Sequence, residues 1–243
     1  MSDATRVLQI GPTEVRVFES LEPLADACAA FLAGVLRGLV ESRDEASIAL
    51  AGGSTPRPIY ERLARPPLGD ALPWDRVTWF FGDERCVPSD DADSNAAMVR
   101  RAFSVDGASP RARSAQIVAM NGVADPDDAA RAYELALPEP LDVVLLGAGE
   151  DGHTASLFPH AMSLHEATRR VIPVVGPKPP PRRLTLTPPA IRAARLRVVV
   201  ATGAGKADVL ARALASDGSD DATPVRLGRA GIWFLDAAAA AKL

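Results

Sequence analysis

Residues 141–159 read LDVVLLGAGEDGHTASLFP, and the first half of that stretch decides the fold. Val143, Val144, Leu145 and Leu146 form an apolar, partly β-branched run that stops at Gly147 and Gly149, the pattern of a buried strand emptying into a tight turn. Glu150, Asp151 and His153 follow at once. Thr154, Ala155 and Ser156 are small enough to begin a helix or a close-packed turn. His153 is thereby placed near the carboxyl edge of a sheet, where open α/β sheets bind ligands.

Gly147, Gly149 and Gly152 also spell a formal G-x-G-x-x-G after a strand, the dinucleotide-binding pattern. That reading needs an acidic residue about 20 positions on to hold the ribose hydroxyls. The chain has no Asp or Glu between Glu166 and Asp208, so the pattern is a decoy.

Outward from this centre, segments of strand and helix character alternate. Glu14 to Phe18 alternates like a first strand. From Ser20, Leu21, Leu24, Cys28, Leu32 and Leu36 recur at three- and four-residue steps, one apolar face of a helix capped by Ser20. Ile48–Leu50 and Arg76–Phe81 read as strands, 57–64 as a helix behind Pro56, and Asp93 with Ser94 as the cap of a helix reaching Phe103. Asp125–Ala136 is predicted helical with acids in its first turn, matching the helix dipole. Strands are expected at 171–175, 184–186, 196–200 and 231–235, with a helix over 206–214. The sum is a single α/β domain spanning 1–243, with a mostly parallel, Rossmann-like sheet covered by helices on both faces. In such a sheet the polar turns at Gly52–Thr55, Gly82–Arg85, Gly147–His153 and Gly203–Lys206 converge on one edge.

The 243 residues are 47% apolar and 24% charged, ordinary for a soluble globular chain, and the net charge of −4 argues against general nucleic-acid binding. Residues 1–12 lack a basic segment followed by an apolar run, and there is no uncharged apolar run of about 18 residues, so neither export nor membrane insertion is expected. Cys28 and Cys86 have no metal-like spacing, which suits a reducing cytoplasm.

Several of these turns carry chemistry. Gly52, Gly53, Ser54 and Thr55, between a strand and a helix, offer free backbone N–H groups and two hydroxyls to an anion, phosphate above all. The plain alternative is a capped tight turn; a nucleophile elbow at Ser54 fails because Pro56 stands where G-x-S-x-G needs glycine. Between Ala167 and Ala207 the chain has nine Lys and Arg residues and no carboxylate, which suits an anionic small ligand, with two or three of the nine expected to touch it. His153, two residues from Asp151, can give or take a proton near neutral pH, with the carboxylate fixing its tautomer. His160 and His165 read as structural or exposed. Asp83, Glu84 and Arg85 are either a surface ion cluster or a site in which Arg85 neutralises an oxyanion or phosphate. No H-E-x-x-H or Cys/His cluster suggests zinc.

Taken together, AGGSTP (51–56), FGDERCVP (81–88) with Ser94-Asn95, GAGEDGHTASLFP (147–159), RRLTLTPP (182–189) and GAGK (203–206) resemble the 6-phosphogluconolactonases, in order and across most of the chain. Single motifs are shared with the wider superfamily that includes glucosamine-6-phosphate deaminase and ribose-5-phosphate isomerase; DGHTASLFP is much more specific to the lactonases, and Ala51 departs from a common Ser. The resemblance implies hydrolysis of 6-phospho-D-glucono-1,5-lactone in the oxidative pentose phosphate pathway without metal or organic cofactor. On this reading the partner is the sugar-phosphate lactone, with no nucleic acid or membrane, and the protein is a monomer or small homo-oligomer. His153, Asp151 and Arg85 are the expected catalytic residues, and Gly52, Gly53, Ser54, Thr55, Asp83, Arg183 and Lys206 the expected substrate and phosphate contacts. The alternatives are a deaminase or isomerase on the same scaffold, and a sugar-phosphate sensor. Against the sensor, the chain has no spare segment for a DNA-binding helix-turn-helix.

Overall fold

The strand expected at the centre of the quoted stretch divides its side chains between two cores. In the computed structural model, which describes residues 4–243, Val143 and Leu145 join one apolar cluster while Val144 and Leu146 join the other. A strand apolar on both faces, as this one is, is what a sheet covered on both sides requires.

The chain opens with a hairpin, β1 (Arg6–Ile10) and β2 (Thr13–Phe18). The reading from sequence missed its first arm, because β1 is a half-exposed edge strand in which Arg6 and the exposed Val7 break the apolar alternation. Helix α1 (Leu21–Arg43) buries Leu24, Cys28, Leu32 and Leu36 as predicted and ends at Asp44, whose φ is 66°. Ser20 stands at its N-cap, but its hydroxyl makes no capping bond. The helix is long and apolar enough to cross a membrane by length and composition; here its apolar stripe packs against the sheet.

Next come β3 (Ala46–Leu50), α2 (Arg57–Ala64), the one-turn α3 (Leu68–Ala71), β4 (Val77–Phe81) and the short β5 (Asp83–Arg85). Helix α4 (Asn95–Ala102) is capped by Ser94, whose hydroxyl accepts from the Ala97 N–H at 3.1 Å. Then follow β6 (Gln116–Ile117), α5 (Pro126–Ala136) behind its Asp125 cap, and β7 (Val143–Gly147). The rest of the chain forms β8 (Val171–Val175), β9 (Arg182–Leu186), α6 (Pro188–Ala193), β10 (Leu196–Ala201), α7 (Ala207–Leu214) and β11 (Ile232–Asp236).

The main sheet has the order β1-β2-β11-β10-β7-β3-β4-β6, parallel except for β1. Helices α1, α2 and α4 pack on one face, and α5, α6 and α7 on the other. From β3 the chain builds outward through β4 to β6; from β7 it builds the opposite way through β10 to β11. The order therefore reverses between β3 and β7, and the loops leaving those two strands part to form a crevice.

Two predicted strands do not enter this sheet. β8 and β9 are an antiparallel hairpin that pairs with β5 in a separate three-stranded sheet, Arg85 opposite Arg183 and Asp83 opposite Thr185. No helix follows β7 either: Thr154 to Leu157 make a tight turn closed by a single bridge. A mononucleotide fold would place a helix there, so the structure agrees that the glycine pattern is a decoy.

Candidate active site

The crevice at the strand reversal holds a cleft of about 530 Å³. Its walls come from the turns after β3, β4, β7 and β10 and from the β8–β9 hairpin. The residues expected from sequence to be catalytic or to contact substrate all line it except Asp151, which stands behind His153.

On the β7 side, His153 Nδ1 lies 2.5 Å from Asp151 Oδ1, and the same oxygen accepts the His153 backbone N–H at 3.3 Å. The imidazole rests on the ring of Phe158, centroids 4.9 Å apart. Burial raises the Asp151 carboxyl, but the hydrogen bond and charge of His153 outweigh it and hold the group below its ordinary value. The pair lies directly over Gly149, where a Cβ would come within 2.0 Å of His153 Nδ1. Glycine is needed there to let the dyad approach the backbone.

Facing it, the β3 turn carries Gly52 to Thr55. Among the described residues no protein acceptor takes the N–H groups of Gly53, Ser54 or Thr55. Thr55 Oγ1 bonds Thr202 Oγ1 at 3.0 Å and ties this turn to the end of β10. Gly52 is packed against Asn95, whose Oδ1 would lie 1.9 Å from an added Cβ.

Asp83 and Glu84 are not a surface cluster; both are buried. Glu84 accepts the N–H groups of Arg85, Asn95 and Ala96 at 2.8 Å each and the Ser94 hydroxyl at 3.1 Å, so it fastens the start of α4 to β5. Burial raises its carboxyl, and these donors offset part of the rise. Arg85 donates Nη1 to the Asp93 carbonyl at 2.5 Å, while its Nε is buried with no protein partner.

Asp83, expected among the substrate and phosphate contacts, lines the cleft with its carboxylate already engaged by the protein. Its Oδ2 accepts from Ser156 Oγ at 2.6 Å and lies 3.9 Å from Arg183 Nη1, and its Oδ1 accepts from Asn95 Nδ2 at 3.2 Å. A carboxylate with both oxygens engaged by protein donors organises the side chains around it. Arg183 is likewise largely committed: Nε donates to the Pro180 carbonyl at 3.0 Å and Nη2 to that of Lys178 at 3.3 Å. It lines the cleft from a buried position and anchors the loop between β8 and β9.

Lys206 reaches the cleft from the turn before α7, with Glu150 beside it; burial is the largest influence and lowers its ammonium. Lys178, Arg183 and Lys206 are the cations of the basic segment that line the cleft. His160 and His165 are exposed and share Asp221, at 2.6 and 3.7 Å. Cys28 is buried in the core; burial raises the Cys86 thiol, so neither is a poised thiolate. Among the described residues, no group of three or more His, Cys, Asp or Glu side chains is placed to hold a metal ion.

Sequence reasoning missed Asn95, Thr202 and Lys178 as members of this site. Ser94-Asn95 was visible as a motif, but its partner Asp83 is 12 residues away and becomes a neighbour only through the α4–β5 packing.

The profile of the family described as glucosamine-6-phosphate isomerases/6-phosphogluconolactonase matches residues 19–232. The chain belongs to this family. Within it, a 6-phosphogluconolactonase of Streptomyces coelicolor is 39% identical, the match covering 93% of each chain. One of Mycobacterium tuberculosis is 37% identical over 95% of this chain and 98% of its own. Among solved structures, the Trypanosoma brucei 6-phosphogluconolactonase superposes with a TM-score of 0.82 at 31% identity, covering 97% of this chain and all of that one.

Proposed function

We propose that this protein, read as one catalytic domain over residues 1–243, hydrolyses 6-phospho-D-glucono-1,5-lactone to 6-phosphogluconate, the second step of the oxidative pentose phosphate pathway. The observation that carries the chemistry is the His153–Asp151 pair, 2.5 Å apart on one wall of a cleft whose other walls present unspent N–H and cationic donors.

Asp151 accepts a hydrogen bond from the Nδ1–H and leaves Nε2 free to act. Nε2 takes a proton from the water that attacks the lactone carbonyl; the tetrahedral oxyanion collapses with cleavage of the bond to the ring oxygen, and His153 returns the proton to that oxygen. Positioned acid–base catalysis of this kind contributes typically 10²–10⁴-fold. A preorganised donor such as Arg85 at the developing oxyanion contributes about 3–4 kcal/mol. Gly53, Ser54, Thr55 and Lys206 cradle the phosphate. Asp83, through Asn95 and Arg183, and Glu84, through α4, hold these walls in place.

The test is acid release from freshly generated 6-phosphogluconolactone beside gluconolactone, with EDTA present and a no-enzyme blank. Fast, EDTA-resistant hydrolysis of the phosphorylated lactone supports the reading. A rate no higher than the blank, with ammonia released from glucosamine 6-phosphate instead, would replace it with a deaminase.

A further inference from the structure

Asp151 has two partners, one on each oxygen. Oδ1 holds His153, and Oδ2 lies 3.8 Å from the Lys178 ammonium. Lys178 sits on the β8–β9 loop, whose backbone is pinned by the buried Arg183 guanidinium through the carbonyls of Lys178 and Pro180. The loop is thus fixed while the Lys178 side chain is not: it is 54% exposed, lines the cleft, and among the described residues has no ion-pair partner except Asp151. A 3.8 Å contact at an exposed site is weak. A phosphate dianion entering the same cleft offers this ammonium a stronger partner.

We propose, building on the lactonase reading, that Lys178 is a movable counter-ion: it draws on the charge of Asp151 in the free enzyme and transfers to the phosphate when substrate binds, leaving Asp151 wholly to His153. The consequence is electrostatic. The ammonium competes for the negative charge that stabilises the imidazolium formed when His153 takes a proton from water. Moving it away strengthens the base only when a phosphorylated lactone is present, so phosphate recognition acts on turnover as well as affinity. The other charges facing the pair are Glu150 and Lys206 from the turns after β7 and β10, Arg183 behind Phe158, and Asp83 and Arg85 on the β5 wall. Arg183 is paired with Asp83, and among the described residues Lys178 is the lysine or arginine within 4 Å of the Asp151 carboxylate, so its displacement is the one that changes the charge beside the dyad. Lys178 is a positioning residue for the dyad as well as a ligand for phosphate.

The experiment is a comparison of wild type, Lys178→Gln and Lys178→Arg on 6-phosphogluconolactone and on gluconolactone, recording kcat and kcat/KM across pH 5–8 with blank subtraction. In the wild type the acid limb of kcat for the phosphorylated substrate should lie at higher pH than that of kcat/KM, by roughly half a pH unit. Lys178→Gln should close that gap, raise kcat on gluconolactone by roughly threefold, and raise KM on the phosphorylated lactone. Lys178→Arg should restore the wild-type pattern. A Lys178→Gln enzyme with a higher KM but an unchanged gap and unchanged kcat on gluconolactone would make Lys178 a phosphate ligand only and overturn the transfer. That outcome leaves the lactonase reading standing, whereas a wild type without activity would remove both.

Discussion

Two buried aspartates, one at each edge of the sheet, are built alike and do different work. At the edge where the strands begin, Asp142 accepts the Ser47 N–H at 2.9 Å and hydroxyl at 3.0 Å, with Arg43 at 2.5 Å and Arg195 at 3.3 Å. At the edge where they end, Asp83 accepts from Ser156 and Asn95, with Arg183 behind it. Each is an aspartate held by a serine and arginine. Around Asp142 the donors converge on the carboxylate and the cluster is complete in itself. Around Asp83 donors remain over: the N–H groups of Gly53 to Thr55, Arg85 Nε and the Lys206 ammonium. A buried ion cluster alone therefore says little about function; the surplus of directed donors beside it is what makes an anion site.

The comparison breaks most visibly at His153. His153→Ala should lower kcat by about 10²–10⁴-fold with little change in KM, while chemical denaturation shows a stability close to wild type. If kcat survives, the carboxyl edge is not where the chemistry occurs. Asp142→Ala should do the reverse. Leaving the Ser47 donors unpaired should cost about 1–3 kcal/mol in unfolding free energy, with kcat and KM per folded molecule unchanged; altered kinetics would mean that the two edges are coupled. Lys206→Ala should raise KM for the phosphorylated lactone roughly tenfold, the loss of one hydrogen bond to a charged group, and leave gluconolactone hydrolysis almost unaffected.

The smallest effect concerns pH. The Asp151 carboxyl is held below its ordinary value in the folded protein, so its contribution to stability is present above the unfolded pKa and is lost as pH falls through the folded one. The side chain is more than a third exposed, which limits the contribution to under about 1 kcal/mol. Acid unfolding of wild type and Asp151→Asn should therefore differ only slightly; a large difference would make the dyad a structural clamp of the Asp142 kind.

The local features of this protein were written in its sequence. Apolar runs over 48–50, 143–146 and 198–200 specify buried strands, because a strand covered on both faces needs apolar residues at successive positions. The turns at Gly52, Gly82, Gly147 and Gly203, each directly after such a strand, place the polar residues at one edge, and DGH puts Asp151 within reach of His153 by chain proximity alone. What the sequence could not carry was pairing over distance. That β8 and β9 leave the main sheet for β5, that Arg183 lies against Asp83 a hundred residues earlier and holds the loop of Lys178, and that Asp83 is occupied by Ser156 and Asn95, all depend on how the elements pack. A carboxylate and a guanidinium carry the same formal charge whether their bonds are spent on protein or kept for a ligand, and only the tertiary structure decides which.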